Sequence, residues 1–330
     1  MGLFKQIIPT FLILFFGIFT VSAQTEDPVV VDSSIVRLNV GVVDNIGRPI
    51  TRLAQSDFTI FEDGVKQEIS RFEPSDRPFS VVMLLDMSGS TLGFRQVIRQ
   101  SAFRFIDALS LDDRVAIVEF YDKINLLNDF TTNRRSIANS IEVANGRGKT
   151  RLYRALDFSL DKLAREGNRR KAIIVLTDGV DTEMQNIDRD MLDKLTDEEV
   201  ALALKPERSK ILTSVLEKSD QQGVTIYPLA LPTGDPKKLA DPTPRQLAMF
   251  GAARARLQIV ADRTGGMLNT IHRLEEMGRL YALVAADLRT LYTIEYQPEN
   301  AKRDGKWRSI KLEVNNTDLI SRTRPGYFAK

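Results

Sequence analysis

Between Phe79 and Leu288 the sequence alternates short apolar runs with stretches of helical periodicity, and this alternation restricts the fold class more than any other feature. Val81–Leu85, Val115–Tyr121, Ala172–Leu176 and Val224–Leu231 hold few polar residues and read as strands covered on both faces. Phe94–Leu109 places Val97, Ile98, Ala102, Phe105, Ile106 and Leu109 on one helical face. Ile137–Ala144, Leu152–Ala164, Arg245–Asp262 and Leu274–Leu288 also read as helices. Ile124–Phe130 reads as an antiparallel edge strand, and Gly265–Ile271 holds a last short one. The fold class is α/β, with a doubly wound, mostly parallel sheet. In a 3-2-1-4-5-6 strand order the first and fourth strands are neighbours at the switch point, where ligands bind.

Both flanks are β in character. Ile35–Val43 alternates apolar and polar residues, and Phe58–Phe61 pairs with a strand over Val65–Phe72 through Asp63-Gly64, a hairpin signal. Leu291–Tyr296, Trp307–Val314 and Leu319–Thr323 follow at the other end. None can hold a core alone, so the two ends are expected to pair into one small β domain. The expected organisation is an export signal over 1–23, a β segment over 24–78, the α/β domain over 79–289 and a β segment over 290–330 pairing with 35–78.

The export signal is read from Lys5, the apolar stretch Ile7–Val21 and the small residues of Val21-Ser22-Ala23. That stretch is about 15 residues long, short of the roughly 20 a membrane-spanning helix needs. The mature chain is therefore expected to begin near Gln24, to carry no membrane span, and to work in the periplasm or as a secreted protein. The absence of cysteine removes disulfides, zinc–thiolate sites and thiol catalysis. A formal net charge of +2, without basic stripes interleaved with aromatics, argues against nucleic acid as a partner. Arg169-Arg170-Lys171, the local exception, reads as a solvated strand entry.

Three distant pieces carry side-chain oxygens at loop positions of the α/β part. Asp86, Ser88 and Ser90 leave the first buried strand, Thr150 ends the loop Gly146–Thr150 before a helix, and Asp178 ends the strand from Ala172. Carboxylates and hydroxyls converging at strand ends suit a hard divalent cation, which takes oxygen ligands. Each piece also has an ordinary structural reading. Asp86 and Ser88 would cap the next helix, and Asp178-Gly179 would close a turn.

Taken together, Asp-x-Ser-x-Ser, a Gly-x-Thr loop and a strand ending in Thr177-Asp178-Gly179 resemble the metal-ion-dependent adhesion site of von Willebrand factor A domains. The flanking Asp57-Phe58-x-x-Phe61-Glu62-Asp63-Gly64, Arg263-Thr264-Gly265-Gly266 and Arg324-Pro325-Gly326-Tyr327 resemble an exported bacterial subgroup of that family. The resemblance implies that Ser88, Ser90 and Thr150 offer hydroxyls to Mg²⁺ (or Mn²⁺), with Asp86 and Asp178 binding directly or through water. It further implies a non-enzymatic module whose protein ligand supplies a carboxylate to the metal.

Two other functions remain open at this stage: a structural envelope protein with a vestigial site, and a metal-dependent hydrolase. An aspartyl-phosphate hydrolase of the haloacid dehalogenase type carries a second Asp two residues after its nucleophile. Here Ser88 stands in that place and cannot act as an acid near neutral pH. Asp181 reads as a solvated loop residue, Asp122 and Asp129 as structural, and the single histidine, His272, as an ordinary satisfied side chain. Trp307, Tyr281, Tyr292, Tyr296 and Tyr327 are expected to fill the β-domain core. The long charged segment Glu183–Gly223 reads as a solvated helical hairpin or as part of a partner surface.

Overall fold

The computed structural model describes residues 35–75, 77–235, 237 and 240–330, and the expected export signal lies outside them. The buried runs form a six-stranded sheet. In chain order its strands are β5 (Phe79–Asp86), β6 (Arg114–Phe120), β7 (Ile124–Thr131), β8 (Arg170–Thr177), β9 (Thr225–Ala230) and β10 (Asn269–Thr270). Their order across the sheet is β10-β9-β8-β5-β6-β7, all parallel except the edge strand β7. Counting strands within the sheet, this is the 3-2-1-4-5-6 arrangement, with β5 beside β8.

Period-two alternation divides the strand residues between two cores. Val81, Met83 and Leu85 of β5 face α1 (Arg95–Ala108), α2 (Arg134–Val143) and α8 (Met277–Leu288). Val82 and Leu84 face α3 (Leu152–Ala164), α4 (Thr182–Leu192), α6 (Lys210–Gln222) and α7 (Pro244–Thr264). Between α4 and α6 lies the short α5 (Asp197–Ala203). Among the described residues no helix is long and apolar enough to cross a membrane.

The chain ends build two four-stranded sheets from β1 (Val36–Val43), β2 (Phe58–Glu62), β3 (Val65–Gln67), β4 (Ile69–Glu73), β11 (Tyr292–Tyr296), β12 (Trp307–Val314), β13 (Ile320–Arg322) and β14 (Gly326–Phe328). Their orders are β13-β1-β11-β4 and β14-β12-β2-β3, so each sheet joins strands from both ends of the chain. Leu38, Val40, Ile60, Tyr292, Ile294 and Tyr296 lie at the centre of their shared core. The β2–β3 turn holds Asp63 at φ 49° and Gly64 at φ 83°, the paired positive angles of a tight hairpin.

Four expectations change. The run Val65–Phe72 is two strands, because β3 pairs with β2 while β4 crosses to β11, so one short segment serves both sheets. Tyr281 belongs to the α/β core, with its ring centroid 5.5 Å from that of Phe105. Glu183–Gly223 is built from three helices, not a hairpin, and the break after α5 runs into Pro206, which cannot continue a helix. Arg169-Arg170-Lys171 is not a solvated entry: Arg170 is 1% exposed, and its guanidinium donates to the carbonyls of Ser75, Arg77, Leu288 and Leu291.

Candidate metal centre

Asp86 ends β5 in full burial, and its carboxylate organises the turn that follows. Oδ1 accepts from the Ser88 N–H at 3.1 Å, and Oδ2 accepts from the Thr177 hydroxyl of the neighbouring strand at 2.8 Å. The Thr91 hydroxyl donates back to the carbonyls of Asp86 (2.7 Å) and Ser88 (3.1 Å). The turn is thereby held with the Ser88 and Ser90 hydroxyls 3.2 Å apart.

The loop bearing Thr150 lies against this turn, since Gly89 N–H donates to the Gly148 carbonyl at 2.9 Å. Gly148 has φ +99°, and a Cβ there would stand 2.1 Å from Asp122 Oδ2, so a side chain is excluded twice over. Asp122 Oδ1 also accepts from the Lys149 N–H at 3.0 Å. The Arg95 guanidinium donates to the Met87 carbonyl at 3.0 Å and to the Gly146 carbonyl, tying the two loops together.

Asp178 completes the group. The Val180 N–H donates to its Oδ1 at 3.0 Å, and the Ser90 side chain favours the charged form of its carboxylate. Thr150 and Thr182 bond reciprocally: Thr150 N–H donates to the Thr182 hydroxyl and Thr182 N–H to the Thr150 carbonyl, both at 3.0 Å. Asp86, Ser88, Ser90, Thr150 and Asp178 are thus carried by three adjoining loops at one end of the β5–β8 pair.

Asp181 differs from its sequence reading. It is 5% exposed and caps α4, accepting from the N–H groups of Glu183 (2.9 Å), Met184 (3.1 Å) and Tyr153 (3.3 Å). Arg95, Thr91 and Gly234 were invisible as site residues. A Cβ on Gly234 would meet the Asp178 carbonyl oxygen at 1.9 Å, so this glycine lets the loop after β9 close on the site. Nothing in the local sequence around these three marks the role, because their partners are remote in the chain.

The electrostatics favour a cation. Burial, and then the charge of Asp178, push Asp86 up to about 7, and burial also raises Asp178. Among the described residues no Lys or Arg stands in ion-pair contact with either carboxylate, although the charge of Arg254 favours the ionised form of Asp178. Nor does any cluster of three or more His, Cys, Asp and Glu stand at metal-binding spacing. The donor set is two carboxylates and neighbouring hydroxyls, all hard oxygens, and it fits Mg²⁺ or Mn²⁺ better than a softer ion.

This burial has a consequence for the metal-free protein. An acid whose native pKa lies above its unfolded value of about 3.9 contributes its stability at low pH. That contribution is lost as pH rises through the native value, here about 7. In EDTA, the unfolding midpoint should therefore fall between pH 5 and pH 8, and Asp86→Asn, which cannot ionise, should flatten that slope. Parallel slopes in the two proteins would show that Asp86 is not held protonated.

Residues 81–180 match the von Willebrand factor type A domain family. No curated protein matches the chain. Among solved structures, a von Willebrand factor type A protein from Catenulispora acidiphila is similar at 12% identity, covering 91% of this chain and 64% of that one, with a TM-score of 0.49. The vWF domain of the type V pili tip protein Mfa5 from Porphyromonas gingivalis is similar at 15% identity, covering 64% of this chain and 95% of that one, with a TM-score of 0.47. Proximal thread matrix protein 1 from the mussel byssus, solved with a zinc-occupied MIDAS motif, is similar at 14% identity, covering 68% of this chain and 49% of that one, with a TM-score of 0.46.

Proposed function

We propose that the α/β domain, whose residues 81–180 match the von Willebrand factor type A domain family, binds a protein ligand through a divalent cation, Mg²⁺ or Mn²⁺, held by Asp86, Ser88, Ser90, Thr150 and Asp178. Domains of this family are generally interaction modules without catalytic activity. The observation that carries the reading is a pair of buried carboxylates with serine hydroxyls beside them: burial raises both, and the charge of Asp178 raises Asp86 further. A cation between or beside two such groups would stabilise both as anions.

The chain's own residues suit adhesion. Ser88, Ser90 and Thr150 are neutral ligands, so with Asp86 and Asp178 bound through water no anion of the chain would touch the cation directly. A bound cation would supply Lewis acidity toward one further carboxylate, offered by the partner. Asp86 is held by Ser88 and Thr177 and cannot swing out as a nucleophile, and Ser88 offers no acid. Export to the periplasm or beyond rests on Lys5, Ile7–Val21 and Val21-Ser22-Ala23, and belongs to the same proposal.

The test is thermal unfolding of the mature chain with Mg²⁺ and with EDTA. A ligand at one hundred times its Kd stabilises the native state by about 2.7 kcal/mol, which for a chain of this size raises the midpoint by on the order of 5 °C. Asp86→Ala should abolish that rise. A parent protein indifferent to both Mg²⁺ and Mn²⁺ would defeat the assignment.

A further inference from the structure

The charged segment between β8 and β9 forms a groove that shares no residue with the metal centre. It encloses about 530 Å³ between α4 and the start of α6. Met184, Ile187 and Met191 of α4 line one side, and Leu204 and Ile211 line the other. The inward edge of α4 is satisfied by Met184, Asp188 and Leu192, which are buried. Ile187 and Met191 form a second apolar edge, 42% and 50% exposed, one turn apart on the same face.

The charge on the walls has one sign. Lys205, Arg208 and Lys210 line the groove, and among the described residues none of their side chains has an ion-pair partner. The only acid in the lining is Asp188, which is neutralised by its two bonds to Arg256 at 2.6 and 2.7 Å. A second cavity of about 570 Å³ between α3 and α6 shares Lys210 and Ile211, so the depression continues along α6; the acid lining it, Asp157, is paired with Lys218 at 2.8 Å. Two joined cavities of this size suit an elongated occupant better than one small molecule.

We propose that this groove docks an acidic amphipathic helix of a partner protein. Its apolar side chains would enter between α4 and α6, where methionines adapt to varied shapes, and its carboxylates would meet Lys205, Arg208 and Lys210. The opposite signs of the two surfaces would steer the encounter and make it sensitive to salt. None of the five candidate metal ligands lines the groove, so docking requires no metal.

The probe is a fluorescein-labelled synthetic helix of about 16 residues, with leucines at i, i+3, i+4 and i+7 and glutamates on the flanks. Anisotropy titrations with the mature chain should show saturable binding that is unchanged by EDTA and weakened by salt. Ile187→Glu/Met191→Glu and, separately, Lys205→Glu/Arg208→Glu/Lys210→Glu should each weaken it by about tenfold or more with the unfolding midpoint retained. The same peptide with lysines for glutamates, or scrambled out of helical phase, should bind about tenfold worse or not at all. Three results would each overturn the proposal: no saturable binding at about 1 mM peptide, equal binding by the charge-reversed variant, or self-association of the parent that Met191→Glu dissolves. The last would assign the face to a second copy of the chain. Loss of the Mg²⁺ response would leave this titration unaffected, so the two readings fail separately.

Discussion

Arg170→Met should destabilise the protein by roughly 4–6 kcal/mol, because it orphans several buried carbonyls at once. The guanidinium donates to Ser75 O at 2.8 Å, Arg77 O at 3.0 Å and Leu288 O at 3.1 Å, and also to Leu291 O. Its flat face lies 4.0 Å from the centre of the Phe79 ring. Ser75 and Arg77 belong to the link from β4 into β5, while Leu288 and Leu291 belong to the link from α8 into β11. These are the two places where the chain crosses between the β sheets and the α/β domain. One side chain therefore closes both crossings.

Methionine fills much of the same volume but donates nothing, so each carbonyl would keep its desolvation penalty without a partner. Arg170→Lys keeps the charge and loses the fork, and should fall between the parent and the methionine variant, since an ammonium has three donors for four acceptors. Urea unfolding measures both variants. A loss below about 1 kcal/mol for the methionine variant would mean that water replaces the guanidinium at the carbonyls. Hydrogen exchange adds a second readout: amides of β1 and β11 should lose protection more than those of β5 and β8.

Arg170 also marks where sequence reading stops. The α/β sheet was legible because a strand's partners are predicted by its own periodicity: Val81 to Leu85 states its double burial without reference to anything remote. The flanking strands were legible as strands for the same reason, although the crossing of β4 to a different sheet from β3 was not. The candidate metal centre divides in the same way. Asp86, Ser88, Ser90, Thr150 and Asp178 each sit at the end of an element, so their positions could be read and compared with a known pattern. Arg95, Thr91 and Gly234 act only through residues brought to them by folding. Asp181 shows the same limit from the other side. Its carboxylate accepts from the Tyr153 N–H of α3, and nothing in Gly179-Val180-Asp181-Thr182 announces that contact. A charged side chain reads as solvated until its partners are known.

Asp188→Ala should cost about 3–5 kcal/mol, while Asp188→Leu combined with Arg256→Met should cost much less than either single change. Both groups are 4% exposed, and the two bonds between them join α4 to α7. Removing the carboxylate leaves a guanidinium buried beside Tyr153 with no counter-charge. Removing both charges leaves apolar side chains in an apolar place. A double-mutant cycle of Asp188→Leu and Arg256→Met, measured singly and together, isolates this coupling because the two residues meet each other directly. The pair also reaches the metal centre through α4, whose first residue, Thr182, bonds reciprocally to Thr150 and whose cap is Asp181. If α4 loosens when Arg256 is left unpaired, the Thr150 loop loses its support, and the Mg²⁺-induced rise in the unfolding midpoint should shrink in Asp188→Ala. In the double variant α4 stays packed, and the rise should return. A full Mg²⁺ response in a strongly destabilised Asp188→Ala protein would separate the two effects and show that α4 does not position the Thr150 loop.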